Sequence, residues 1–366
     1  MKKFFHNIGS IGWGLVHTIP KIVRQPSLWP DRPRKSAFRR YVENAYFRFV
    51  RHGICLGYNG IGLDLRGVPV RDVLVNADRK PMFEFWVRKQ KQDWLAVVED
   101  KYLLHLYLKA HSLPVVPVLA HTIGTTAYIG DSETTLSGLQ DWLVNTQKSF
   151  FMKATADLCG QNVYKMSVID RKIPFGGREI DIADVVKTGN GGMFLFQPVV
   201  VNHAELRRIN GSTLNTLRLN TCWNKDGEVE LWDNGFIRVG HAGSFIDNFA
   251  AGGIAVGIKD GDGRLRDYGI NHNSNYNYRL YPKHPDSGVV FAGFKVPLYR
   301  EAVELCKCAQ RLFPTIPSIG WDVCVMDDGL QLLEANWNWG IEEIEMINGY
   351  HAMNRWKEIY GNWRCK

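Results

Sequence analysis

The stretch GWDVCVMDDGLQLLEANWNWG, residues 320 to 340, constrains this chain more than any other. Two apolar, β-prone runs flank Asp327-Asp328-Gly329, which reads as a three-residue hairpin with Gly329 in the left-handed position. Side chains alternate along a strand, so Asp322 shares a face with Cys324 and Met326, while Val323 and Val325 point the other way. Pairing Met326 with Leu330 then sets Asp322 opposite Glu334, and Asn336, two residues on, shares that face. Two carboxylates and an amide oxygen at such range repel unless a cation lies between them, and Mg2+ takes hard oxygen ligands of this kind. The alternative is a hairpin with a polar solvent face. Trp337 and Trp339 weigh against it, because two tryptophans seldom flank a solvated acidic patch.

Charge is unevenly placed. Residues 1–52 hold eleven Lys or Arg against Asp31 and Glu43, so a chain of net charge +8 carries all of its surplus in a basic arm on a nearly neutral body. A general nucleic-acid surface is therefore not supported. The segment MKKFFHNIGSIGWGLVHTIPKIV is too polar for a secretory leader and too short for a membrane span. It suits either an arm lying on an anionic membrane surface or one packed on its own protein. The seven cysteines are scattered, with no C-x-x-C pair and no zinc spacing, and read as reduced thiols of a cytoplasmic protein.

Residues 20–36 hold four prolines and read as an extended connector, after which AFRRYVENAYFRFVRHGI returns to helical spacing. A second helical pattern covers residues 99–113, with Leu103, Leu106 and Leu113 joining Tyr102 and Leu104 on one apolar face. SFFMKATA and GGMFLFQPVVV read as strands, residues 212 onward are β-rich, and a helix is expected near 298–312. The pattern predicts an α+β (mixed α/β) fold divided as 1–90 (basic, helical), 91–150, 151–205 and 206–366. Lys153 stands between apolar residues, where it either meets an anion or snorkels from an edge strand. Arg218 alternates with Leu217 and Leu219, and its planar fork suits phosphate or carboxylate, or a surface ion pair.

The ordered blocks EDKYLLHLYLKAHSLPVVP, SFFMKATADLCGQNV, FLFQPVVVNHAEL, STLNTLRLNT, FIRVG, DNFAAGGIAVGI and the hairpin with its Glu-x-Asn resemble the ATP-grasp superfamily. Within it they resemble the sugar-transfer-associated and glutamate-ligase-like branch, over roughly residues 99–345. The resemblance implies two α+β lobes clasping ATP, with an N-terminal helical and basic extension. It makes Asp322, Glu334 and Asn336 ligands of Mg2+ (two ions), and Lys101 and Lys153 phosphate-binding lysines. Gln197, Val199, Val200, His203 and Glu205 become the hinge that meets adenine and ribose, while Arg218 and Arg238 become the catalytic cations. Ala154 follows Lys153 where the family has proline, and DLCGQNV holds a single glycine.

The implied activity is ATP-dependent joining of a carboxylate to an amine through an acyl phosphate, in cell-envelope or exopolysaccharide synthesis. Its substrates would be a small or lipid-linked sugar and an amino acid or amine, handled at the inner membrane face if the arm docks there. A kinase-like phosphotransferase acting on a sugar hydroxyl uses the same nucleotide chemistry. A non-enzymatic carbohydrate-binding protein would use the twelve tryptophans instead, gathered along one exposed groove.

Overall fold

Alternation along residues 216–223 organises the larger half of the chain. Leu217, Leu219 and Thr221 face one way and Thr216, Arg218, Asn220 and Cys222 the other, as in a strand that divides two environments. A computed structural model describes residues 14–29, 31–50, 55, 57–70, 92–156, 163–175, 178–188, 192–241, 252–272, 278–348 and 352–360.

In chain order the elements begin with helices α1 (Ile19–Arg24), α2 (Ala37–Val50), α3 (Gln92–Glu99) and α4 (Lys101–Ala110). Then come β1 (Ala120–Ile123), β2 (Thr126–Ile129), β3 (Ser132–Thr135), α5 (Leu136–Thr146), β4 (Ser149–Ala154) and β5 (Val163–Ser167). A short pair, β6 (Pro174–Phe175) and β7 (Arg178–Glu179), leads to α6 (Ile182–Thr188), β8 (Phe194–Pro198) and α7 (Ala204–Ile209). The second half holds β9 (Thr216–Trp223), β10 (Val229–Leu231), β11 (Phe236–Val239), β12 (Ile254–Ile258), β13 (Leu265–His272) and β14 (Tyr278–Tyr281). It closes with α8 (Tyr299–Arg311), β15 (Ser318–Met326), β16 (Gly329–Asn336), α9 (Ile341–Asn348) and α10 (Ala352–Tyr360).

Besides the β6–β7 pair, two larger antiparallel sheets result among the described residues. The first has the order β3-β2-β1-β8-β4-β5 and draws on residues 120–198, on both sides of the division expected at 150. Phe150, Met152, Phe194 and Phe196 cover one of its faces with α5 and α6, and the alternation turns Phe151, Lys153 and Gln197 to the opposite face. The second has the order β14-β13-β12-β11-β9-β15-β16, with β10 paired to β9. On one face Leu217, Leu219, Ile237, Val323 and Val325 pack against α8, whose small Ala302, Cys306 and Ala309 let the helix come close.

The described part of the N-terminal region packs on its own protein. Ile22, Phe47, Tyr58, Ile61 and Leu63 share a core with Trp232, Trp339 and Trp356. Three sequence expectations need correction. The segment 20–36 is not extended throughout, since Pro20 lies at the start of α1, where the missing N–H costs nothing. On α4 the buried stripe is Leu104, His105 and Leu108, whereas Leu103 and Leu106 are exposed, because the i, i+4 pair 104/108 faces the sheet. The hairpin turn has two residues, with Met326 opposite Gly329, and a bulge between Asp322 and Val323 restores Asp322 to Glu334.

His105 is buried on α4, and His121 is buried in a stack between Tyr102 and Tyr128, with ring centroids 4.2 and 4.8 Å away. Burial holds both imidazoles below the ordinary histidine range; Lys109 adds to this at His105, and Asp131 opposes it at His121. The unfolded chain therefore takes up these protons first. Stability is expected to be complete above the unfolded value of about 6.5 and to fall as the pH drops below it, by at most about 1.4 kcal/mol per pH unit for each ring. Urea midpoints measured between about pH 8 and pH 5 check this: His105→Gln/His121→Phe should show the shallower decline, and equal slopes would refute the assignment.

Candidate active site

On the second sheet, Arg218 of β9, Asp322 of β15 and Glu334 of β16 are direct cross-strand partners and so form one row on one face. Arg238 of β11 lies one step along, opposite Thr216, whose hydroxyl accepts from the Arg238 guanidinium at 2.9 and 3.1 Å. Asp322 is only 2% exposed and accepts from Arg218 Nε at 2.5 Å and NH2 at 3.1 Å, and Arg238 NH2 lies 2.7 Å from its Oδ2. Burial pushes this carboxyl up, but the two guanidinium groups outweigh it and hold the group below the usual carboxylate value.

The first sheet contributes from across the cleft. Lys153 Nζ donates to Gln197 Oε1 at 3.0 Å, and Glu334 is its principal charged neighbour. Removal from water draws Lys153 below the ordinary lysine range, and Glu334 acts in the opposite direction. Lys101 Nζ lies 3.9 Å from Glu334 Oε1. Local chemistry fixes Lys101 in place. Asp100 caps α4 by accepting from the Tyr102 and Leu103 N–H groups, and the Lys101 N–H donates to Thr155 O at the end of β4. Glu99 accepts from Trp337 Nε1 at 2.8 Å, tying the start of the helix to the end of β16.

The segment after β8 runs to the far tip of the same hairpin. Val199 and Val200 are half-buried there, and the His203 N–H donates to Val325 O at 2.8 Å. His203 caps α7, its Nδ1 accepting from the Glu205 N–H, while half-buried Glu205 pairs with Arg208 at 2.5 Å. Asp327 accepts from the Ala204 N–H at 2.7 Å and from Arg207 at 2.9 Å. From Asp322 to Asp327 a strand advances about 16 Å, comparable with an extended nucleoside triphosphate. The structure thus gathers Lys101, Lys153, Gln197, Arg218, Arg238, Asp322 and Glu334 at one end of the hairpin and His203 and Glu205 at the other. Sequence reasoning missed Glu99, Thr216 and Asp327; of these only Asp327 left a signal, in its turn motif.

Among the described residues of this cleft, four cationic side chains face two carboxylates, a surplus that suits a polyanion. Among the described residues no three His, Cys, Asp or Glu side chains form a metal cluster. The candidate donors are instead two carboxylates and an amide. Asn336 Nδ2 donates to Gly320 O at 3.5 Å, which leaves the amide oxygen as its acceptor for a hard cation beside Glu334. Asp322 can add a single lone pair, on Oδ1, because its Oδ2 already meets both Arg218 and Arg238. A cavity of about 270 Å3 bounded by Asp262, Lys295, Tyr299 and Arg300 shares no residue with this cleft.

The family model described as sugar-transfer associated ATP-grasp matches residues 84–361. The chain belongs to this ATP-grasp family. A search of curated proteins found none that matches it. Among solved structures, an ADP complex of N5-carboxyaminoimidazole ribonucleotide synthetase is 10% identical at a TM-score of 0.39, over 71% of this chain and 51% of the other. D-alanyl-alanine synthetase A from Vibrio cholerae is 16% identical at a TM-score of 0.38, over 70% and 60% respectively. The chain thus spans little more than half the length of these proteins, and superpositions this loose carry no residue of theirs onto it. In ATP-grasp terms the expected metal hairpin is β15–β16, and the expected phosphate lysines stand on α4 and β4. The glycine-poor loop after Lys153 and the residues around Asp247 lie outside the described residues.

Proposed function

We propose that this ATP-grasp chain is an ATP-dependent carboxylate–amine ligase acting on a sugar-linked or small-molecule acid in cell-envelope polysaccharide synthesis. The observation that carries this reading is the convergence of Lys101 and Lys153 on Glu334, beside the Arg218–Asp322–Arg238 cluster. It supports a triphosphate laid along the hairpin. Lys101 and Lys153 bind its phosphates, Gln197 holds the Lys153 ammonium in place, and Val199, Val200, His203 and Glu205 lie where base and ribose would reach. Bound Mg2+ on Glu334, Asn336 and Asp322 would neutralise phosphate charge.

Arg218 and Arg238 meet the transferring phosphoryl group or the acid. Transfer of the terminal phosphoryl group to a carboxylate oxygen releases ADP and turns a poor leaving group into phosphate. The amine then attacks the acyl carbon, phosphate departs with the C–O electron pair, and the amine proton passes to solvent. Neither His203, which caps a helix, nor His241, whose Nε2 is bonded to Gly252 O at 2.6 Å, is placed as the base.

Calorimetric titration of Mg-ATP tests the site. Glu334→Ala is expected to weaken binding roughly a hundredfold, and absence of binding in the wild type would sink the reading. ADP release that requires both an acid and an amine from pooled sugar acids and amino acids selects the ligase; release with a sugar alcohol and no amine selects the phosphotransferase. Against the carbohydrate-binding alternative, Trp232, Trp321, Trp337, Trp339 and Trp356 are buried, and the other described tryptophans, Trp29, Trp94, Trp142 and Trp223, are half-buried.

A further inference from the structure

Helix α2 is amphipathic in the wrong sense for a surface helix. Its inward stripe is Arg40, Glu43, Asn44 and Phe47, and its outward stripe includes Phe38, Val42, Tyr46, Phe49 and Val50, spaced at i, i+4, i+8, i+11 and i+12. Phe38 is 79% exposed and Phe49 52%. Most inward polar groups are bonded: Lys35 Nζ donates to Glu43 at 2.8 Å and to Val68 O at 2.7 Å, Tyr58 donates to the same carboxylate, Arg40 donates to Val23 O and Asn44 Nδ2 to Arg40 O at 2.9 Å, while Arg40 Nε and Asn44 Oδ1 have no partner. The helix is therefore locked in this orientation by a buried ion pair, and a rotation that hid the aromatics would expose and break that pair.

The charges around the stripe are sorted in the same way. Of the acidic residues described between 14 and 70, Glu43 and Asp64 are buried, Glu43 paired with Lys35 and Arg39 and Asp64 with Arg34. Exposed Lys21, Arg24, Arg32 and Arg66 then face a single exposed carboxylate, Asp31. Outward aromatics bordered by cations, with the acids turned inward, are complementary to a surface that is apolar beneath and anionic above.

We propose that the outer face of α2 docks this protein on the anionic surface of a lipid bilayer. The helix lies in the interfacial plane, Phe38 and Phe49 enter the acyl boundary, and Lys21 and Arg24 meet lipid phosphates. No helix among the described residues is long and apolar enough to cross a membrane, so the attachment is peripheral. This assignment stands apart from the ligase reading, since it uses no residue of the nucleotide cleft.

Co-sedimentation of the full chain with vesicles of phosphatidylglycerol and phosphatidylethanolamine, against phosphatidylcholine alone, tests it. The wild type is expected to bind the anionic vesicles. Phe38→Ser/Phe49→Ser and Lys21→Glu/Arg24→Glu should each weaken binding about tenfold or more, with the thermal midpoint unchanged. A wild type that stays in solution with anionic vesicles, or an aromatic variant that binds equally well, overturns the proposal. Light scattering adds one further overturning result: a wild-type dimer that Phe38→Ser/Phe49→Ser makes monomeric would give the face to a second copy of the chain.

Discussion

Replacing Asp322 with asparagine is expected to lower the unfolding free energy by about 3–5 kcal/mol, because it strips the shared counter-charge from two guanidinium groups that are nearly out of water. Arg218 and Arg238 side chains are 9% and 12% exposed, and both reach the carboxylate. The amide of asparagine keeps the shape and loses the charge, so the effect is electrostatic rather than a cavity. Glu334→Gln provides the contrast: that side chain is 34% exposed and 3.9 Å from Lys101, and Lys153 keeps Gln197 as its acceptor, so the change should cost the fold about 1–2 kcal/mol, less than the loss of Asp322. Guanidinium denaturation of the two variants separates structure from binding. Equal midpoints for Asp322→Asn and wild type would mean that the arginines find other partners. Adding Arg238→Met to Asp322→Asn should recover part of the loss, since one unpaired buried charge is then removed.

The second large effect is expected at Gly235, just before β11. Its φ is +75°, and a Cβ there would sit 2.4 Å from Arg218 O and 2.6 Å from Leu219 Cδ2. The first contact is with backbone, which cannot rotate away. The Gly235 carbonyl is also committed, to the Ile258 N–H at 3.0 Å and to Asn348 Nδ2 at 3.2 Å, so the turn cannot swing clear without breaking these bonds. Gly235→Ala should therefore cost about 3 kcal/mol or more, from left-handed strain plus displacement of the strand that carries Arg218. It should also weaken Mg-ATP binding without touching any site side chain. Thermal melting and calorimetry check the two effects together; a variant that melts with the wild type would show that β9 yields.

Much of the site was legible because strand alternation is a local property. Lys153 among phenylalanines and Arg218 among leucines each show which way they face from their immediate neighbours alone. The row Asp322–Glu334 was also readable, although by two offsetting departures: the turn is one residue shorter than Asp327-Asp328-Gly329 suggests, and the bulge adds the residue back. A bulge has no sequence signature in LQLLEAN, so the turn motif alone led to the Asp322–Glu334 pairing, through a Met326–Leu330 pair that the structure replaces with Met326–Gly329. The inward face of α4 was not legible, since Leu103, Leu104, Leu106 and Leu108 are alike in hydropathy and tertiary packing alone selects among them. Nor was the fate of the basic arm. Its charges suited an anionic membrane surface and packing on its own protein alike; the described part of residues 1–23, from residue 14, is folded against the second sheet's helices and tryptophans, and the outward apolar surface belongs to α2.

The first sheet hangs from the β15–β16 hairpin at both of its connections. On the way in, Leu332 exchanges hydrogen bonds with Pro114 O and the Val116 N–H, and on the way out His203 bonds to Val325 O. Leu332 and Val325 lie on adjacent strands within two residues of register, so these pins are close together. A body hung from two neighbouring pins behaves as a door. A swing about the line that joins them leaves both pins intact and works against edge bonds such as that of the Lys101 N–H to Thr155 O, whereas a slide along the frame breaks the pins themselves. Lys153 stands on the leaf and Glu334 on the frame, so a rotation about the pins would change their separation more directly than any other movement of the sheet.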